Sequence, residues 1–379
     1  MTPLGIVGAS ARTADTAAAR AGFAPWAIDL FADRDLRRIA PTVRCPMDEY
    51  PAALPRLVEE MPPGPVMYTG GLENHPDVVR ELAARRELWG NDAATLKFGR
   101  IPHLLCFRPD SHRVAPPAVA SFFDPCPSSG RWLRKRRRSA GGMGIRFAEP
   151  GEPASDSHYF QQFADGLPMS MLFLNRSDDG LLWTGLTEQL VGEPWLNAEP
   201  FAYCGNIISA DLPEDVKQGL LDYASHFAEE TGLRGVWGLD FIFDYETAFP
   251  VEVNPRYTAS VEVVELAYHA AILTKHAGEF TAVTPDWRPG GGGRVVGKAV
   301  YYAPFSLTLP AGPWDDELSR PFDPWRVPDF ADIPDTGSVI EAGQPVLTFF
   351  ASGDTPAAVR TELQSRAAEL DSLFAEHTP

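Results

Sequence analysis

The sequence predicts an α/β protein, α+β overall, that ends in a β-rich segment, and three stretches carry that prediction. Residues 4–8 are a short apolar run, 11–21 are alanine-rich, and 26–30 are apolar again, the strand, helix, strand order of a βαβ opening. Residues 235–265, GVWGLDFIFDYETAFPVEVNPRYTASVEVVE, hold two strand-like runs, 236–244 and 250–254, with Tyr-Glu-Thr-Ala between them as a hairpin turn. Near the end, DIPDTGSVIEAGQPVLTFFA alternates short apolar runs with turn residues. At 379 residues the chain can bury several cores, and its length suggests two or three domains.

In chain order, GASAR after the first strand matches the dinucleotide fingerprint poorly and reads as a structural turn. Residues 66–69 are a further strand, and GGLENHPDVVRELAARRELWGN continues as a glycine-rich turn and a helix with a basic last turn. Glu73, Asn74 and His75 thus fall at the carboxyl end of a strand, where open α/β sheets meet their ligands. Residues 91–108 open a separate small lobe with a helical stretch before the loop-rich APPAVASFFDPCPSSG. RWLRKRRRSAGGMGIRF then reads as strand, basic glycine-rich loop, strand, and HYFQQFADG as a strand ending in an Asp-Gly turn.

Residues 169–175 and 181–187 pair across Asn-Arg-Ser-Asp-Asp-Gly. FAYCGNII follows, with Gly205 and Asn206 as either a structural turn or part of an acceptor pocket. Residues 213–232 form a helix whose Leu220, Leu221, Ala224 and Phe227 share one face, suited to packing beneath the 235–265 hairpin. Another helix starts at Ser260, with Glu262 and Glu265 expected at its exposed side. The glycine-rich 285–294 reads as a linker, GKAVYYAP as a strand returning to the body, and 355–375 as an amphipathic helix with Thr355-Pro356 at its start.

Composition narrows the function. A hydrophobic share of 44% with 22% charged residues is that of an ordinary globular protein. The net charge of -18 argues against nucleic-acid binding and against a polybasic membrane anchor, since both need clustered positive potential. Cys45, Cys106, Cys126 and Cys204 form no CxxC pair, so reduced thiols in the cytoplasm are the simplest expectation. The N-terminus lacks the pattern of a signal peptide, and no run of about 18 apolar residues suggests a membrane span. The basic cluster Arg131, Arg134, Lys135, Arg136, Arg137 and Arg138 could be a nucleic-acid patch. The glycines directly after it and the acidic remainder favour a phosphate-facing lid.

The chemistry starts at the hairpin. A turn centred near Glu246 sets Asp240 opposite Glu252. Strand alternation then gathers Leu239, Phe241, Phe243, Val251 and Val253 on an apolar side and Asp240, Glu252 and Asn254 on the other. Single D-x-F or E-x-N strings are common in solvated strands; their joint spacing is the signal. Adjacent anions on a partly buried face need a cation. Oxygen-only ligands favour magnesium, which completes its shell with phosphate oxygens and water. In the lid candidate, glycines let backbone N–H groups approach phosphate oxygens and a cation balances their charge.

GLDFIF followed by VEVNPR resembles the metal-binding end of the ATP-grasp superfamily. The resemblance implies ATP and one or two magnesium ions, held by Asp240, Glu252 and Asn254, with Arg256 reaching substrate or the transferring phosphoryl group. RWLRKRRRSAGGMGIRF resembles the family's phosphate-covering element, which gives Lys135 the ATP-contacting position and Ser139, Gly141, Gly142 and Gly144 the loop. For the family's earlier lysine the nearest cations are Lys97 and Arg100, of which Arg100 fits better. HYFQQFADG resembles the hinge strand, where the backbone of Gln161, Gln162, Phe163 and Ala164 would read adenine and Asp165 the ribose; Pro168 stands where a ribose-binding glutamate is usual.

The implied architecture is an ATP-grasp fold in four parts. Residues 1–90 would be a Rossmann-like pre-ATP-grasp domain, 91–157 the lid lobe, 158–284 the catalytic lobe, and 285–379 a strand return with a small β-rich module. No Met-Lys-Met tag marks that module as a swinging arm, and Ser260 in place of biotin carboxylase's glutamate argues against bicarbonate. The implied function is ATP-dependent ligation of a small-molecule carboxylate to an amine through an acyl phosphate, releasing ADP. EVNPRYTASVEVVE and GGLENHP bring the chain nearest the tyramine-glutamate ligases of methanofuran-type cofactor biosynthesis. Glu73, Asn74, His75 and Asn206 would then meet substrate, and a homodimer is allowed. A phosphotransferase and a non-catalytic nucleotide-binding assembly protein are the alternatives.

Overall fold

The computed structural model describes residues 1–107, 112–120, 123–209, 211–282 and 293–376. Except for its last two residues, the expected linker at 285–294 lies outside the described residues. The opening strands β1 (Pro3–Val7), β2 (Ala24–Asp29), β3 (Thr42–Arg44) and β4 (Val66–Tyr68) form a parallel sheet in the order β3-β2-β1-β4. The apolar residues of β1, β4 and the second half of β2 are buried as parallel strands require, while the edge strand β3 is partly exposed. The helix Arg12–Arg20 crosses from β1 to β2 and packs on the sheet through Ala14, Ala17 and Ala18. The GASAR turn is bound from within: the Ala11 N–H donates to Asp29 Oδ2 at 2.6 Å. β3 and the helix Arg34–Ile39 are extra elements, too short to announce themselves by periodicity.

A separate three-stranded sheet consists of β5 (Trp132–Arg136), β6 (Arg146–Phe147) and β7 (His158–Gln162), antiparallel in the order β6-β5-β7, so that β7, expected in the catalytic lobe, pairs with the strand before the glycine-rich loop. The strand resembling a hinge is therefore the second neighbour of β5, directly beside Lys135.

The third layer is an eight-stranded antiparallel sheet. It contains β8 (Leu167–Arg176), β9 (Gly180–Val191), β10 (Tyr203–Ile208), β11 (Gly235–Phe243), β12 (Ala248–Asn254) and β13 (Val295–Tyr302). After the two-residue β14 (Leu307–Thr308) come β15 (Phe330–Ala331), β16 (Val339–Ile340) and β17 (Pro345–Gly353). The order is β12-β11-β8-β9-β10-β13-β17-β15, with β14 and β16 paired apart as a ribbon. The chain after residue 294 thus extends the sheet that carries the hairpin. The helix Pro356–Glu376 closes over it through Val359, Leu363, Leu370 and Phe374.

The helix Glu214–Thr231 packs beneath the hairpin as expected. Val216, Leu220, Ala224 and Phe227 share a core with Trp237, Leu239 and Phe241, and the Phe227 and Trp237 rings are 6.4 Å apart. The helix Ser260–Tyr268 overturns an expectation, because Glu262 and Glu265 have side chains only 1% and 0% exposed. The helix is wedged between Arg12–Arg20 and the large sheet. Arg12 Nη2 and Lys298 Nζ reach Glu262 Oε2 at 3.0 and 2.9 Å, and Arg20 Nη1 reaches Glu265 Oε2 at 2.8 Å. Buried carboxylates persist only with such partners, and these come from remote parts of the chain.

Candidate active site

The hairpin register is the expected one: Asp240 faces Glu252, and Gly238 faces Asn254. Leu239, Phe241, Phe243 and Val253 are buried on the apolar side. Val251 is a correction. The register slips between Asp240 and Phe241, so Phe241 faces Pro250 and Val251 is the extra residue of a bulge. Bulges re-aim backbone groups. Here the Val251 carbonyl accepts from Lys135 Nζ at 3.4 Å and from Gln161 Nε2 at 3.3 Å.

A chain of polar contacts runs from the hairpin into the first domain. Asn254 Nδ2 donates to Asp240 Oδ2 at 2.8 Å, and Asn254 Oδ1 accepts from Arg256 Nη2 at 3.1 Å. Arg256 Nε and Nη2 both donate to Glu73 Oε1, at 3.1 and 3.0 Å. Gly70 leaves room for that contact, since a Cβ there would sit 3.3 Å from Arg256 Cζ. The distant segments 70–74 and 254–256 therefore meet on one ion pair.

Burial pushes Asp240 up to about 6, and the neighbouring Glu252 charge adds to the shift. Hydrogen bonds from Ser170 and Gln189 pull the other way. Crowded carboxylates of this kind fit a divalent cation. The donor set is two carboxylates and an amide oxygen, and no group of three or more His, Cys, Asp or Glu that could hold a metal occurs among the described residues. Such an oxygen set suits magnesium with phosphate and water completing its shell, rather than a closed structural ion.

Lys135 is 8% exposed on β5, with Nζ 3.2 Å from Gln161 Oε1. Burial acts to lower its pKa, but Tyr159, Glu252 and Asp240 outweigh that and hold it above the usual lysine value. A buried ammonium therefore stands beside the two carboxylates.

The glycine-rich loop lies down on its surroundings at several points. Ser139 O accepts from Asn74 Nδ2 at 3.1 Å, and Gly141 O accepts from Tyr203 N at 3.0 Å. Gly142 has φ +77, and a Cβ there would come within 1.8 Å of Phe201 O. Gly144 also has positive φ. Arg100 Nη2 donates to Arg137 O at 3.3 Å, beside the lid, whereas Lys97 pairs with Asp77 on the surface. His75, half-buried, has its pKa lowered by burial and by Arg138.

The hinge candidates separate. Gln161 points into the site, but the N–H groups of Gln162 and Phe163 already donate to Ala118 O and Arg131 O, each at 2.8 Å. Asp165 has a side chain 82% exposed and pairs with Arg131 at 3.3 Å, so its placement gives no support to a ribose role. Asn206 is buried with both ends of its amide engaged: Oδ1 accepts from the Tyr203 hydroxyl, and Nδ2 donates to Thr187 Oγ1 at 2.9 Å. Sequence reasoning passed over Ser170, Thr187 and Gln189. Polar residues alternating through the otherwise apolar β8 and β9 were the available signal.

Residues 110–260 match the family model of the ATP-grasp domain. L-amino acid ligase from Bacillus licheniformis superposes with a TM-score of 0.64 at 16% identity, over 98% of this chain and 97% of that one. N5-carboxyaminoimidazole ribonucleotide synthetase from Thermus thermophilus gives 0.63 at 16% identity, over 95% and 96%. Biotin carboxylase from Campylobacter jejuni gives 0.66 at 13% identity, over 94% and 89%. No curated protein matches. Likenesses at these identities establish the fold.

Proposed function

We propose that this chain, which carries an ATP-grasp domain within an ATP-grasp fold, is an ATP-dependent carboxylate-amine ligase that forms ADP. The observation that carries the reading is the meeting of Asp240, Glu252 and Asn254 with Lys135 and with the Arg256–Glu73 pair. Asp240, Glu252 and Asn254 would hold one or two magnesium ions, which supply charge neutralisation for a triphosphate. Lys135 faces the same charge from β5. Ser139, Gly141, Gly142 and Gly144 cover it with backbone N–H groups, Arg100 steadies the start of the lid, and the backbone at Ala164, next to the engaged N–H groups of Gln162 and Phe163, receives the base. Arg256, held in place by Glu73, is set to spread charge on the transferring group.

In this reading the substrate carboxylate takes the γ-phosphoryl group, ADP departs, and an amine displaces phosphate from the acyl phosphate. The protein's contribution is alignment and exclusion of water by the lid. No side-chain nucleophile is required. The four cysteines form no disulfide, as a reducing compartment such as the cytoplasm would keep them.

The test is ADP release from acid and amine pairs with magnesium ATP, starting with glutamate and tyramine and widening to other amino acids and amines. Hydroxylamine in place of the amine traps an acyl phosphate as a hydroxamate. ADP without hydroxamate identifies a phosphotransferase instead. Nucleotide-dependent thermal stabilisation without ADP under any mixture identifies a binding protein.

A further inference from the structure

A cavity of about 760 Å³ lies outside this machinery. It is bounded by the end of the helix Ser260–Tyr268, the start of β13, the end of β17, the segment 325–329 and one side of the helix Pro356–Glu376. Among the described residues none of its lining precedes Leu266, so neither the hairpin, the glycine-rich loop nor the Arg256–Glu73 pair opens onto it. The helix Ser260–Tyr268 stands between them. Its nine residues span about 13 Å, with Thr258 ahead of the first turn and His269 at the far end, on the cavity wall. Small-molecule sites occupy roughly 300–1,000 Å³, and the proposed reaction gives this one no occupant.

The walls select the occupant. The chain carries a net charge of -18, yet Arg294, Arg326, Arg366 and His269 line this cavity against Asp329 and Glu362, a local inversion that favours anions. Two of the arginines are matched already. Arg326 holds the Glu317 carboxylate with both Nη groups. Arg366 donates to Phe350 O and, at 3.2 Å, to Asp329 O, with Asp329 Oδ1 3.7 Å away. Arg294 is different: it is exposed, donates from Nη2 to Ser352 Oγ at 2.6 Å, and meets no carboxylate among the described residues. Its other N–H groups and the Ser352 hydroxyl proton suit a carboxylate, whose two oxygens match a guanidinium fork. Trp325, Val327 and Pro328, half-buried, add an apolar wall, and the Trp325 ring stacks on His269 at 5.3 Å. A carboxylate on an apolar body satisfies both.

We propose that this cavity is a second small-molecule site, for a carboxylic acid with an apolar body, whose carboxylate lies on Arg294 and Ser352 and whose body lies on Trp325 and Val327. It is separate from the nucleotide and magnesium site and stands whether or not the chain is a ligase. Glu362, on the same wall, opposes the bound anion and limits the affinity.

The probes are phenylacetate, indole-3-acetate and hexanoate, each titrated to roughly 10 mM while the unfolding midpoint of the full chain is followed. Phenylacetamide removes the charge and acetate removes the apolar body. At least one probe should raise the midpoint saturably, with phenylacetamide and acetate without effect. Arg294→Gln, at an exposed position just before β13, should weaken the binding about 10- to 100-fold. Glu362→Gln should tighten it a few-fold by removing a like charge. The rise should add to that from magnesium ATP, because the two sites share no residue. No saturable rise with any of the three probes overturns the proposal, as does an equal rise with phenylacetamide, undiminished binding in Arg294→Gln, or weaker binding in Glu362→Gln. Competition with magnesium ATP overturns it too, by moving the probe to the nucleotide site. A saturable, Arg294-dependent rise in a chain that magnesium ATP leaves unshifted keeps this site and rejects the ligase reading.

Discussion

Asp240 and Glu252 repel each other on a partly buried face, and that repulsion separates stability from function at single residues. Asp240→Asn removes one of the two charges. It should leave the metal-free unfolding midpoint unchanged or higher while cutting ADP formation by about 100-fold or more, the usual scale for a lost electrostatic contact to a transferring group. Full activity in that variant would reject the metal assignment. At this scale the hairpin was legible, because alternation along two neighbouring strands is written in adjacent residues. The Val251 bulge was not, since a one-residue slip in pairing leaves no mark on composition. Nor could Asp165 be seen to point away, because its direction depends on Arg131 across the strand ends.

Elements are joined at two places that single substitutions can probe. His276, on the helix Ile272–Ala277, accepts from Val236 N on β11 with Nδ1, at 2.9 Å, and its Nε2 meets Trp89 O at 3.2 Å. It therefore bolts the hairpin sheet to the first domain as a neutral ring, and burial holds its pKa down at about 4. In the unfolded chain a histidine titrates near about 6.5. The contribution is whole above that pH and is lost as pH falls toward the folded value, on the order of 3 kcal/mol across the window. Urea unfolding should show this acid loss between about pH 6.5 and 4, and His276→Leu should flatten it at lower overall stability.

The second joint is the glycine-rich loop proposed as a lid. Gly142→Ala must place a methyl against Phe201 O in a backbone conformation that alanine disfavours. It should raise the KM for ATP about 10-fold with little change in unfolding midpoint, because the loop contributes contacts to ligand more than to a core. An unaltered KM would show that the loop does not cover the phosphates. Strand, loop and strand were visible in RWLRKRRRSAGGMGIRF, yet the docking of that loop on Phe201, Tyr203 and Asn74 could not be read from it.

Across the whole molecule, Glu262 holds three remote segments together. Arg12 of the first domain and Lys298 of β13 both bond it, and Arg12 also reaches Asp332 at 2.8 Å. Burial alone would raise the Glu262 pKa, but Arg12 and Lys298 pull it well below the usual carboxylate range. The sign follows: stabilisation is present above about pH 4.5 and is lost as pH falls below it. Glu262→Gln leaves two cations buried with a weaker partner and should destabilise by about 3–5 kcal/mol, read from denaturant midpoints at neutral pH. A loss below about 1 kcal/mol would place the network among contacts of surface strength.

By itself the sequence determined the βαβ opening, the two strands flanking the glycine-rich loop, the helix beneath the hairpin, and the pairing of Asp240 with Glu252. Each of these follows from apolar period, turn chemistry and spacing among residues close in the chain. Only the tertiary structure decided that Glu262 and Glu265 are buried, that Arg256 rests on Glu73, that Lys135 reaches the Val251 carbonyl, and that the last strands extend the hairpin's own sheet. A charge survives in the interior by what it meets there, and here those partners arrive from segments far apart in the chain, which no local pattern records.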